Sequence, residues 1–102
     1  MNKYTVVISE QAQQDLRDLS NIISFEYKSP ANAVKYLREI YGEMGKLSTH
    51  AESYSIQASS YFSQYGFNVR RLNYKKMAII YTVINNIAYI KRVVSASTIT
   101  GL

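Results

Sequence analysis

The sequence predicts an α+β fold: an N-terminal strand, an antiparallel helical hairpin, and a three-stranded antiparallel meander that joins the first strand in one sheet. Three observations predict it. A short β-branched run opens the chain. Two apolar stripes at helical spacing follow it. Three strand-like runs, separated by two-residue turn signals, close it. At 102 residues the chain is too short for its core to divide, so 1–102 is read as a single domain.

The first element is Tyr4-Thr5-Val6-Val7-Ile8. Ser9 follows as an N-cap, with Glu10 in the first helical turn. Ala12, Leu16, Leu19 and Ile23 then recur at spacings of four, three and four, which predicts an amphipathic helix to about Glu26. Ser29-Pro30 is a second helix start, with serine to cap and proline at the first helical position. Ala33, Leu37, Ile40, Met44 and Leu47 form the second stripe. The short connection makes the two helices an antiparallel pair laid on one face of the sheet, leaving the other face partly open.

Residues 49–66, rich in Ser and Tyr, read as a surface connection with a short strand near Tyr54 to Gln57, closed by Gly66. Phe67 to Tyr74, Met77 to Ile84 and Ile87 to Val94 are the three meander strands. Lys75-Lys76 and Asn85-Asn86 are the turns, and asparagine tolerates the positive φ that tight hairpins need. The middle run is apolar on both faces, as a central strand requires. Because successive strand residues point to opposite faces, Arg70 and Arg71 are predicted to split between faces, and Lys91 and Arg92 likewise.

Composition excludes several chemistries. Hydrophobic residues make up 47% of the chain and charged residues 19%, a globular rather than a disordered balance. The chain has no cysteine and a single histidine, His50. Disulfides, thiolate metal sites, cysteine nucleophiles and His-rich zinc centres are therefore not expected, and no metal or cofactor is implied. His50, at the end of the second helix, reads as a surface histidine. The apolar run Met77 to Ile84 is far below the roughly 20 residues of a spanning helix. Met1-Asn2-Lys3-Tyr4 does not open a signal peptide, so no membrane association and a cytoplasmic location are expected.

Charge is unevenly placed. All seven acids lie within residues 1–52, and from Ser53 onward the only charges are Arg70, Arg71, Lys75, Lys76, Lys91 and Arg92. An acid-free layer attracts a polyanion or an acidic protein because its fields add. These six residues are the candidate set for binding such a partner. Tyr54, Tyr61, Tyr65 and Tyr74 offer base-stacking rings beside them, although tyrosine is equally a good strand and half-buried surface residue.

Order and residues together suggest a family. The opening Tyr4-x-Val6-x-Ile8-Ser9-x-x-Ala12-x-x-Asp15-Leu16 is followed by Ser29-Pro30-x-x-Ala33. Arg70-Arg71-Leu72-x-Tyr74, Ile80-Tyr81-x-Val83 and Ile90-Lys91-Arg92-Val93 complete the pattern. It resembles the RelE/ParE superfamily of bacterial type II toxin–antitoxin toxins over nearly the whole chain. The resemblance implies a small basic growth-inhibiting toxin held inactive by a cognate antitoxin. RelE-like members cut ribosome-bound mRNA, whereas ParE-like members inhibit DNA gyrase.

The side chains separate the branches. Metal-free RNA cleavage needs a base for the 2′-hydroxyl, a cation for the phosphate and an acid for the leaving oxygen. Arg70 or Arg71 matches the sheet arginine of RelE-like toxins, and a nuclease here would use Arg70, Arg71, Lys75 and Tyr81. The end of the chain, Val94 to Leu102, has no titratable side chain where the resemblance leads one to look for a terminal acid or base. A ParE-like, non-nucleolytic toxin acting on DNA gyrase is therefore the first expectation. A RelE-like mRNA interferase acting on the ribosome and mRNA, and an inactive toxin-fold binding module, are the alternatives. A homodimer stays open.

Overall fold

The computed structural model describes residues 3–99; Met1-Asn2 and Thr100-Gly101-Leu102, which enter the readings of the chain's two ends, lie outside them. The order is β1 (Thr5–Ile8), α1 (Glu10–Asn21), a π-helical turn (Ile22–Glu26), α2 (Pro30–Gly45), α3 (Leu47–His50), a 3-10 helix (Ser60–Tyr65), β2 (Arg70–Tyr74), β3 (Met77–Ile84), β4 (Ile87–Ser95) and a 3-10 turn (Ala96–Thr98). The sheet runs β1-β4-β3-β2, with β1 parallel to β4 and the remaining pairs antiparallel. The predicted α+β architecture is therefore present as one mixed sheet. Among the described residues, no helix is long and apolar enough to cross a membrane.

Each junction has a local cause. Ser9 caps α1, its Oγ accepting from the Ala12 amide at 3.0 Å. At α2, Pro30 occupies the first turn, but the Ser29 side chain makes no cap bond, so proline alone supplies the start signal there. Lys75 and Asn85 take φ of +52° and +55° in the two meander turns. The first helix does reach Glu26, its last turn widened into π geometry.

The core has two parts because β3 is buried on both sides. On the helix side, Ala12, Leu16, Ile40, Met44 and Leu47 pack on Leu72, Ile79, Tyr81, Ala88, Ile90 and Val93. On the opposite side, Phe62, Val69, Ala78, Ile80 and Ile99 form a second cluster. That cluster corrects the expectation for residues 49–66. The segment carries α3 at its start and the 3-10 helix near its end, and Phe62, 1% exposed, covers the face expected to be open. Of the short strand expected near Tyr54 to Gln57, one bridge exists, Ile56 opposite Arg70. The run Phe67 to Asn68 is not strand either; β2 starts at Arg70, after Gly66 (φ +120°) and Asn68 (φ +52°).

Ile40 is fully buried whereas Leu37 is half-buried. Ile40→Ala should therefore cost about 2–5 kcal/mol and Leu37→Ala distinctly less, read from urea unfolding. A smaller loss at Ile40 than at Leu37 would mean that α2 faces the sheet differently.

Candidate functional site

β4 outruns β1: the two pair only from Ile87 to Ile90, so beyond Ile90 one edge of β4 has no strand beside it. Residues of α1 and its cap fill the gap. The Ser9 amide donates to the Ile90 carbonyl at 3.0 Å, and Ser9 Oγ donates to the Lys91 carbonyl at 2.9 Å. Asp15 Oδ2 accepts from the Val93 amide at 2.9 Å and from Arg92 Nε at 2.7 Å, while Oδ1 accepts from Arg92 Nη2 at 3.0 Å. The carboxylate beside it holds the Arg92 guanidinium even more firmly charged than usual.

The β3–β4 register also shifts here, Ile80 facing Arg92 while Tyr81 faces Ile90. Lys91 is the extra residue of this bulge. Its consequence overturns the alternation argument for this strand. Arg92 pairs with Ile80 of the helix-distal core cluster, and Lys91 lines a concavity with Thr82 and Tyr65 on the same side, so both cations leave the helix face. Arg70 and Arg71 do split as expected. Arg70 pairs with Tyr81 of the helix-side core, and Arg71 pairs with Ile80 of the opposite one.

The six cations thus fall into two groups. Arg92 is bound to Asp15. Arg70 Nη1 donates to the carbonyls of Glu52 and Tyr54 at 3.0 and 2.6 Å, fastening the segment after α3 to the edge of β2. The other four meet no carboxylate among the described residues. Arg71 Nε donates to Asn73 Oδ1 at 2.7 Å. Lys75 Nζ lies 5.6 and 5.4 Å from the ring centres of Tyr36 and Tyr74, a cation–π arrangement at the β2–β3 turn. Lys76 is exposed on the same turn. Lys91 Nζ lies 5.7 Å from the Tyr89 ring centre.

Tyr81 lies apart from these. It is fully buried on the helix side, and its hydroxyl donates to the Ala51 carbonyl at 2.6 Å. Burial pushes its ionisation well above the ordinary tyrosine value. Arg70 and Tyr81 are neighbours, Arg71 lies on the far face, and Lys75 sits at the turn, so the structure does not converge these four on one point. The four tyrosines are likewise divided. Tyr61 and Tyr65 form an edge-to-face pair with hydroxyls 3.1 Å apart, whereas Tyr74 stacks edge-on with Tyr36. His50 is exposed, its Nδ1 2.7 Å from Thr49 Oγ1. Among the described residues no three His, Cys, Asp or Glu gather as a metal site.

In the sequence Asp15 stands only as part of the motif Ala12-x-x-Asp15-Leu16, and nothing there pairs it with Arg92; its place next to the stripe residue Leu16 is the available sign of a polar group beside the core. Phe67 and Thr82 were also passed over; the flanking Gly66 and Asn68 were the available sign that an aromatic sits on a loop tip there.

A model of the family described as ParE toxin of type II toxin-antitoxin system, parDE, matches residues 6–99. The chain belongs to this ParE toxin family. Its fold is similar to that of a chain from the chromosomal ParDE TA system of P. aeruginosa, with a TM-score of 0.76, 17% identity, and coverage of 91% of this chain and 96% of that one. No curated protein matches the sequence. The family match takes in β1 from Val6, both long helices and the whole meander, so the Asp15–Arg92 clamp lies inside it.

Asp15 serves a backbone amide as well as Arg92, so its loss leaves two groups without partners. Asp15→Ala should cost about 2 kcal/mol and more than Arg92→Ala, because the arginine is partly solvated. Chemical denaturation of the two variants checks the order, and equal costs would remove the amide from the account. A second expectation concerns alkali. Burial pushes the Tyr65 hydroxyl up to about 12, so the folded chain keeps this proton where the unfolded chain, at its ordinary value of 10.0, releases it. Stability is then intact below about pH 10 and lost as pH rises towards 12, less steeply in Tyr65→Phe. Thermal midpoints measured across that window test it, and identical slopes for the two proteins would contradict it.

Proposed function

We propose that this ParE-family chain arrests growth by binding an essential target protein, DNA gyrase by the family resemblance, and that a cognate antitoxin neutralises it. The observation that carries this reading is the division of the cations. Arg71, Lys75, Lys76 and Lys91 stand without a carboxylate partner among the described residues, on an acid-free half of the chain. Such a surface recruits an acidic partner by long-range attraction. A nuclease reading asks for a positioned proton donor or acceptor beside a cation. The nearest such pair, Tyr81 with Arg70, is spent on the Ala51 carbonyl and on the Glu52 and Tyr54 carbonyls.

The antitoxin is expected to bring an acidic or amphipathic segment to these cations. The outer edge of β1, or of β2 beyond its Ile56–Arg70 bridge, offers main-chain pairing for such a segment. The test is expression of the chain without antitoxin, followed by a gyrase supercoiling assay beside primer extension on translated mRNA. Arrest with impaired supercoiling and uncut mRNA supports the proposal. Codon-registered cuts with normal supercoiling would assign the chain to the RelE-like mode, and no arrest at all would make it an inactive binding module.

Salt should slow the association with antitoxin roughly tenfold between low and high ionic strength, because the free cations steer the encounter. Stopped-flow rates check this, and a rate indifferent to salt contradicts it.

A further inference from the structure

Phe67 is 94% exposed, the most exposed large apolar residue among those described, and the reason is local. Its neighbours Phe62 and Val69 are both sunk in the helix-distal core, at 1% and 2% exposure, so the chain between them bridges over the sheet. Gly66 at φ +120° and Asn68 at φ +52° bend that bridge and turn Phe67 outward. Only glycine takes the Gly66 conformation without strain. Next to Phe67, Ile84 is 56% exposed at the end of β3. Between them lies a concavity of about 360 Å³ lined by Tyr65, Phe67, Asn68, Thr82, Ile84 and Lys91 among others.

Thr82 lines this concavity. It is 4% exposed, and its Oγ1 has no hydrogen-bond partner. A buried hydroxyl beside apolar side chains is costly unless something bonds to it. Lys91 supplies a cation at the rim, brought there by the bulge. Of the other cations on this face, Arg92 is neutralised by Asp15 and Arg71 lines a separate hollow with Tyr54, Gln57 and Asn73, so Lys91 is the charge of this rim. A single free ammonium is poor footing for a phosphate backbone, which needs a track of cations, and Lys75 and Lys76 stand at the opposite end of β3.

We infer that this concavity is an anchor site for a partner protein: an apolar side chain of an acidic segment enters beside Phe67, its carboxylate pairs with Lys91, and rotation about the Thr82 Cα–Cβ bond brings the otherwise buried Oγ1 to a main-chain amide or carbonyl of that segment. Burying the exposed apolar rim drives such docking, and the cation selects for acidic flanks. The inference rests on the reading that an acidic segment of a partner meets these cations and says where that segment docks; it holds whether or not the chain arrests growth.

The test is binding of a blocked peptide, acetyl-Asp-Asp-Leu-Asp-Asp-amide, to the full chain, followed by amide NMR shifts. A lysine-flanked counterpart and hexathymidylate serve as controls. The acidic peptide should move the signals of Asn68, Thr82, Val83 and Lys91, and the lysine peptide should not. Lys91→Glu should weaken the acidic peptide roughly tenfold. Thr82→Val, which keeps the volume, should weaken it about fivefold while leaving the thermal midpoint unchanged or higher, since it removes an unbonded hydroxyl. Phe67→Ser should weaken binding with an unaltered midpoint. Shifts confined to the Lys75-Lys76 turn, or no shifts, would overturn the inference. A lower midpoint with unchanged binding in Thr82→Val would make the hydroxyl structural and also overturn it. Pocket shifts with hexathymidylate but not with the acidic peptide would replace the protein segment with a nucleic acid.

Discussion

The fold depends on how α1 is held to the part of β4 that β1 does not reach. Strand edges left bare are liabilities, and a parallel β1 of only four residues cannot cover a β4 of nine. Ser9 and Asp15 solve this from the helix. One hydroxyl caps α1 and binds the Lys91 carbonyl; one carboxylate takes the Val93 amide and the Arg92 guanidinium. The helix start, the bulge and the register of β3 against β4 are therefore set together. Ala12 and Leu16, one turn apart, meet the sheet because the clamp fixes α1 at Ser9 and at Asp15, beside them.

The same clamp decides which charges remain unpaired with a carboxylate among the described residues. The bulge carries both Lys91 and Arg92 to the helix-distal side, but Asp15 then claims Arg92. On β2, Arg70 is spent on two carbonyls and Arg71 is not. A basic half-chain is thus divided into arginines engaged within the fold and cations without a carboxylate partner among the described residues, and the division cannot be seen in net charge. It also explains why an acid-free surface is compatible with a stable fold. Arg92 is neutralised by Asp15 and Arg70 is hydrogen-bonded to the Glu52 and Tyr54 carbonyls, and those left over are spaced along the sheet and its turn, where water screens them.

Much of the fold was legible in the sequence because each element carries its own local signal. The stripes Ala12 to Leu16 and Ala33 to Leu47, the Ser9 cap, Pro30 and the two turns all act within a few residues. What escaped notice is non-local. Phe62 covers the helix-distal face from a segment whose Ser and Tyr content reads as surface, because one aromatic in a polar run has no period. The Lys91 bulge is invisible in an unbroken β-branched and basic run, and with it the shared face of Lys91 and Arg92. At the candidate site the sequence offers six cations, but their division depends on Asp15, Glu52 and Tyr54, 77, 18 and 16 residues away from the arginines they bind.

Hydrogen exchange at the Val93 amide tests this account most directly. With no strand beside it, that amide would exchange as freely as a surface loop unless Asp15 holds it. The account predicts protection comparable to the β3 amides in the wild-type chain, lost in Asp15→Ala while β3 stays protected. Rapid exchange at Val93 in the wild-type protein would contradict it.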